Sequence, residues 1–158
     1  MRSAVLQTAI GPVRVHADVR GLVALDFLRT ESGPRKPPKS GFDTGWSVPI
    51  AKALEAYFER GLPLPKTPLG NLGGTPFQKR VWRALARIPF GQTRSYGEVA
   101  AAIGAPKAAR AVGAACGANP LPLFVPCHRV LAAGGALGGF SGGLVIKKKL
   151  LRVEGLRV

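Results

Sequence analysis

Acidic residues are scarce in this chain: 8 Asp and Glu stand against 23 Lys and Arg, a formal charge of +15 over 158 residues. Such an excess has to be matched by a partner or by salt. The best generic match is a polyanion, whose condensed counterions are released as its phosphates are neutralised; an unpartnered basic surface is the plainer alternative. Cysteine and histidine are almost missing as well, represented by Cys116, Cys127, His16 and His128 alone. That set matches no closed zinc site and no redox spacing, so no metal, no cofactor and no disulfide are expected, and a reduced, cytoplasmic setting fits. Long apolar runs are absent too. Nothing is long enough to span a bilayer, the N-terminus shows no secretory pattern, and no basic amphipathic helix argues for a membrane surface. At 46% hydrophobic the chain still has material for a core, in one ordinary domain or two small ones.

The first 28 residues read as a strand meander, Ser3–Ile10, Val13–Val19 and Leu22–Leu28, broken at Gly11-Pro12 and Arg20-Gly21. Val13, Val15 and Ala17 alternate with Arg14, His16 and Asp18, which puts His16 on the polar face with no assigned role. Residues 31–45 have the composition of a loop. A helix is expected over 48–60, with Ser47 as N-cap, Pro49 in its first turn and Ile50, Leu54, Tyr57 and Phe58 as its apolar stripe. Leu62–Gly74 holds three prolines and three glycines without periodicity, and the boundary between domains 1–70 and 74–158 is placed there.

Thr75-Pro76-Phe77-Gln78 carries a capping box and an N-terminal proline for a helix over 76–88. Ser95-Tyr96-Gly97-Glu98 carries a second capping box, for a short helix closed by Gly104. A third helix is expected over 106–116, opened by Pro106 and ended by Gly117 and Asn119-Pro120. Two short helices joined by a tight turn give a helix-turn-helix signature, which ordinary helical hairpins share. In the third helix, Arg110 is the one long side chain among alanines and glycine. Packing on the protein's own core explains the alanines; a lone arginine on so smooth a helix suits insertion into a groove or base stack. The last helix starts near Leu144 with Ile146, Leu150 and Val153 as its stripe, and Glu154 beside that stripe needs a donor, from His128 or from an Arg or Lys.

Val125-Pro126-Cys127-His128-Arg129-Val130 is the stretch with the chemistry. A thiol followed by imidazole and guanidinium sits in a positive local field, which lowers its pKa and enriches the reactive thiolate. The alternative is a buried structural cysteine. The glycines around Phe140-Ser141 permit close backbone approach to a ligand, or else form a mobile surface loop.

Taken in order, Gly74-Thr75-Pro76-Phe77-Gln78, Val81-Trp82, Ile88-Pro89, Ser95-Tyr96-Gly97, Ala109-Arg110-Ala111-Val112-Gly113, Asn119-Pro120, Pro126-Cys127-His128-Arg129-Val130, Ser141-Gly142-Gly143 and Glu154 resemble the O6-alkylguanine-DNA alkyltransferases, also called methylated-DNA–protein-cysteine methyltransferases. The resemblance covers about half the chain, Gly74 to Gly155; the N-terminal part carries no matching motif. It implies an α/β protein: a small N-terminal sheet domain with a helix, ribonuclease-H-like, and a mainly helical domain with the helix-turn-helix and the active-site loop. It also implies direct, irreversible transfer of an alkyl group from O6 of guanine to a cysteine, once per molecule, on double-stranded DNA and by a monomer.

By the same resemblance Cys127 is the acceptor, His128 its base through a water, and Glu154 the residue that orients His128. Arg110 takes the place of the flipped-out nucleotide, and Tyr96 crowds the target phosphate and hydrogen-bonds the base. Asn119 joins the recognition helix to the cysteine segment, and Ala109 and Gly113 belong to the DNA-facing surface. Carbonyls of Cys127 and Val130 read the guanine amino group, and the Ser141 backbone meets O6. Phe140 departs from the family's usual tyrosine, Cys116 reads as packing, and Lys147, just inside the last helix, reads as a solvated cation, with a pocket role the alternative that its family position allows. Two other classes compete: a lesion-binding protein of the alkyltransferase-like kind that does not repair, against which Cys127 itself speaks, and a Cys/His acyl-transfer hydrolase with no use for DNA.

Overall fold

The computed structural model describes residues 1–28 and 44–158. Most of the loop expected over 31–45 lies outside the described residues. The chain divides into two units, Met1–Leu72 and Gly73–Val158, and the architecture is mixed α/β, with a small antiparallel sheet followed mainly by helices.

In the first unit, β1 (Arg2–Leu6), β2 (Val13–Ala17) and β3 (Leu22–Phe27) form an antiparallel meander in that order. Val13, Val15 and Ala17 are buried and Arg14 and His16 are not, the period-two pattern of a sheet with one covered face. His16 Nε2 pairs with Asp26 across the strands at 2.9 Å. The segment after the first helix returns to this sheet: Leu22 donates to the Pro68 carbonyl and accepts from Gly70. Gly21 makes that approach possible, since a Cβ there would stand 2.1 Å from the Pro68 oxygen.

Helix α1 runs Thr44–Arg60 and buries Ile50, Leu54 and Tyr57 as the stripe predicts. It starts a turn earlier than expected. Ser47 is a buried residue within it rather than its cap, and Pro49 lies in its interior. Trp46 extends the apolar stripe one turn backwards, with the Arg2 guanidinium 5.5 Å over its ring. Pro49 so near the helix start removes little beyond one intrahelical hydrogen bond.

In the second unit, α2 (Pro76–Leu85), α3 (Tyr96–Ala102) and α4 (Ala109–Gly117) pack on one another. Both capping boxes form: Thr75 accepts from the Gln78 N–H and donates to its side chain at 2.8 Å, and Ser95 and Glu98 repeat the exchange. Helix α2 ends sooner than 88, in a turn that still buries Ile88. Trp82 Nε1 donates to the Ala115 carbonyl at 2.8 Å and locks α2 to α4. Helix α4 begins at Ala109, three residues after the expected Pro106, because no side chain caps it and a turn closed by Ala108 N–H to Ala105 oxygen comes first.

Two short parallel strands, β4 (Arg94–Ser95) and β5 (Val130–Leu131), pair across the unit. This pairing, unmarked in the sequence, brings together Tyr96, which follows β4, and the Cys127 turn, which precedes β5. Helix α5 (Leu144–Val153) buries Lys147, Leu150 and Leu151. Its inner face is thus turned from the expected stripe: Ile146 and Val153 are only half-buried, and a lysine takes the central place. No described helix is long and apolar enough to cross a membrane.

Candidate active site

The Cys127 segment is held by Asn119 at the end of α4. Its Nδ2 donates to the Val125 carbonyl at 2.7 Å and its Oδ1 accepts from the Leu121 N–H at 3.0 Å. Between those anchors Leu123 takes a φ of 75°, a left-handed turn that few side chains adopt. Pro126 then opens a three-residue 3₁₀ turn, Cys127–Arg129, closed by Arg129 N–H to the Pro126 carbonyl at 3.0 Å. A turn this tight points successive side chains in different directions, so Cys127 parts from His128 and Arg129, which share one partner.

His128 and Arg129 both turn to Glu154. His128 Nε2 lies 2.7 Å from Glu154 Oε1, Arg129 Nε 2.9 Å from Oε2, Arg129 Nη2 3.0 Å from Oε1, and the Gly91 N–H donates to Oε2 at 3.0 Å. The donor expected for Glu154 is therefore both the histidine and an arginine. Burial pushes Glu154 up, yet the hydrogen bonds from His128, Arg129 and Gly91 outweigh it and bring the carboxyl down from 4.5 to about 2. Burial holds His128 below its ordinary value against the pull of Glu154, so the ring is neutral near pH 7. An ionised carboxylate only accepts, so Nε2 carries the proton and Nδ1 is the basic nitrogen. Arg129 also donates to the Ile88 carbonyl at 2.6 Å and lies 5.9 Å from the Phe90 ring centroid.

This arrangement overturns the expected effect of the two neighbours on the thiol. Arg129 neutralises Glu154, His128 is uncharged, and Cys127 is 4% exposed. Burial pushes the Cys127 thiol up; a hydrogen bond from the Asn119 side chain and the charge of Lys147 pull it part of the way back. Lys147 is accordingly no solvated cation but fully buried. Its Nζ donates to the carbonyls of Val130 at 2.7 Å, Leu137 and Gly139 at 3.2 Å, tying α5 to β5 and to the glycine loop. Burial lowers its pKa, and the two cysteines oppose that. A hydrophobic stripe hides such a lysine: the one signal in the sequence was its family position just inside the last helix.

A cleft of about 950 Å³ opens beside the thiol, lined by Cys127, Tyr96, Ala109, Arg110, Gly113, Ser141 and Phe140 among others. Six of the expected site residues thus meet in one cavity. The other four, Asn119, His128, Val130 and Glu154, are buried and do not line it. The Val130 carbonyl already accepts from Lys147, which leaves it one lone pair for any further donor. Arg110 is exposed on α4 beside Ala111, Ala114 and Gly117, all likewise exposed, so that face is smooth apart from the guanidinium. Tyr96 is pushed up chiefly by burial. Gly138 lets the glycine loop reach it: its φ is 65°, and a Cβ there would stand 2.7 Å from the Tyr96 hydroxyl. Cys116, which reads as packing, also lines the cleft, its thiol pushed to about 12 by burial and by Cys127. Among the described residues no group of three His, Cys, Asp or Glu side chains is placed to hold a metal ion.

Comparison with known proteins adds names to this geometry. Residues 76–156 match the family model for the 6-O-methylguanine DNA methyltransferase DNA-binding domain. The methylated-DNA–protein-cysteine methyltransferase of Methanosarcina acetivorans is 42% identical over 155 residues, 98% of this chain and 99% of its own. That of Mycobacterium tuberculosis is 55% identical over 152 residues, 94% of this chain and 89% of its own. The crystal structure of the M. tuberculosis OGT in complex with DNA superposes with a TM-score of 0.81 at 41% identity, covering 96% of this chain and 91% of that one.

Proposed function

The chain belongs to the methylated-DNA–protein-cysteine methyltransferases, and from that premise we propose that Cys127 is the acceptor and the cleft of α3, α4 and the glycine loop the site of transfer. The protein repairs DNA by moving an alkyl group onto its own cysteine. The substrate we assign is O6-alkylguanine in double-stranded DNA, the partner of a monomer in the cytoplasm. The observation that carries the assignment is the thiol of Cys127 at the cleft wall, with Tyr96 and Arg110 lining the same cavity.

An alkyl carbon on a base edge cannot be attacked in line inside a duplex, so the nucleotide has to leave the stack, at a cost of a few kcal/mol. We read α3 and α4 as the helix-turn-helix, with α4 against the DNA and Arg110 filling the vacated place. Helix α4 suits this by having nothing bulkier than that arginine on its exposed face. The N-terminal meander with α1 we read as the ribonuclease-H-like part.

Transfer then needs a thiolate. Nδ1 of His128, through a water, takes the Cys127 proton, and Glu154 stabilises the resulting imidazolium while Arg129 keeps that carboxylate ionised. The sulfur lone pair forms the S–C bond as the C–O6 bond breaks, and the electron pair departs on guanine. Tyr96 and the backbone at Ser141 donate to the leaving base, in the manner of preorganised electrostatic stabilisation. Lys147 holds the Val130 and Gly139 carbonyls in place and supplies the positive field at the sulfur. A thioether does not hydrolyse, so each molecule acts once. A resting thiol raised by burial is consistent with this, because the proton is removed only when the base is activated.

Intact-mass spectrometry after incubation with an O6-methylguanine duplex tests the assignment. One methyl per protein on Cys127, with the lesion gone from the DNA, is the expected result. A protein that retains lesion DNA and stays unmodified is a lesion-binding protein instead.

A further inference from the structure

A second cavity, of about 430 Å³, lies between α2 and α3 and shares no lining residue with the cleft of Cys127. Arg80 and Arg83 on α2, Arg87 in the turn after it and Arg94 on β4 line it, and all four are exposed. Glu98 is the carboxylate among its lining residues; it accepts from the Ser95 N–H at 2.6 Å as half of the capping box and feels the charge of Arg94, which leaves one carboxylate against four arginines. Arg80 donates to the Ile103 carbonyl, and Arg94 to the Thr93 carbonyl and the Gln92 side chain. Among the described residues none of the four arginines is salt-bridged to a carboxylate.

Like charges one helical turn apart destabilise a helix, and the described fold supplies this row with little counter-charge. An external anion relieves the repulsion. Arg80 and Arg83 stand about 4.5 Å apart along α2 at 1.5 Å per residue, and Arg87 follows in the turn after it, a row that can meet consecutive phosphates of one strand. Guanidinium groups meet phosphate with paired N–H bonds, which suits arginine rather than lysine for such a rail.

We propose that the α2–α3 groove is a second phosphate-binding surface, which takes the backbone of duplex DNA apart from the Cys127 cleft. The proposal rests on the reading of this protein as one that acts on DNA, and adds a contact to it. The test is the salt dependence of binding to unmodified duplexes by the variant R83Q/R87Q, measured by fluorescence anisotropy on a short and a long duplex. Two lost phosphate contacts lower the slope of log K against log salt by about 2, at ~0.9 per contact. The charge-conserving variant R83K/R87K keeps the slope, which separates charge loss from misfolding. A deficit that grows with duplex length assigns the groove to flanking backbone of the same duplex. A deficit confined to the bridging of two duplexes assigns it to a second one.

An unchanged slope on both duplexes overturns the proposal, as does an equal fall in the control K52Q/K66Q, which removes two exposed charges elsewhere. A fall on RNA or heparin alone overturns it in favour of another polyanion. Methyl uptake from free O6-methylguanine base is unchanged in R83Q/R87Q; if the wild-type protein takes no methyl from base or DNA, it is the assignment of Cys127 that fails, whatever the slopes.

Discussion

Glu154 shows how one buried side chain can order a site from behind. Three side-chain and backbone partners converge on its carboxylate from residues 25 to 63 positions away. Removing one partner from a buried ion pair leaves an uncompensated charge, so Arg129→Ala should cost about 3–5 kcal/mol in urea unfolding; a loss within ordinary surface scatter would refute the clamp. The pH dependence has a definite sign. Glu154 has a folded pKa of about 2 against 4.5 unfolded, so the unfolded chain binds the proton more readily. The stabilisation is full above pH 4.5 and disappears as pH falls through about 2. Urea midpoints of the wild type should drop over that window, and those of Glu154→Gln should drop less. Lys147→Met keeps the stem and removes the charge, and the pH at which iodoacetamide alkylates Cys127 half-maximally should rise. An unmoved profile would remove Lys147 as the thiol's cation.

The elements of the second unit follow local rules where the local sequence states them. Both capping boxes could be read directly, because Ser or Thr and a Glu or Gln three residues on satisfy each other within one turn. Helix α4 could not be placed as well: Pro106 suggests a start, but without a capping side chain a turn forms first and the helix begins at Ala109. The consequence is that Arg110 stands in the opening turn of α4, at the rim of the cleft. Arg110→Ala should slow methyl transfer from duplex DNA on the order of tenfold more than from single strands, since only the duplex has a stack to refill. Equal slowing on both substrates would end the stack-filling role. The stripe of α5 was legible in kind and wrong in phase. Three apolar residues and a lysine compete for its inner face, and the carbonyls of Val130, Leu137 and Gly139 draw the lysine in.

At the scale of the whole molecule the +15 charge is the dominant quantity. If about six phosphates are neutralised, affinity for undamaged duplex DNA should fall roughly a thousandfold between about 50 and 200 mM salt. A flat response in a filter-binding titration would mean that the charge serves no backbone contact. The amino-acid sequence alone determined the charge, the two capping boxes, the alternation of β2 and the order of motifs around Cys127, since each of these depends on composition or on neighbours within a few residues. Tertiary structure alone decided the pairing of β4 with β5, the turning of Arg129 towards Glu154, the burial of Lys147 and the direction in which the Cys127 thiol is shifted. Those depend on which distant segments exclude water from a given atom, and desolvation there outweighs the charges that stand next to it in the chain.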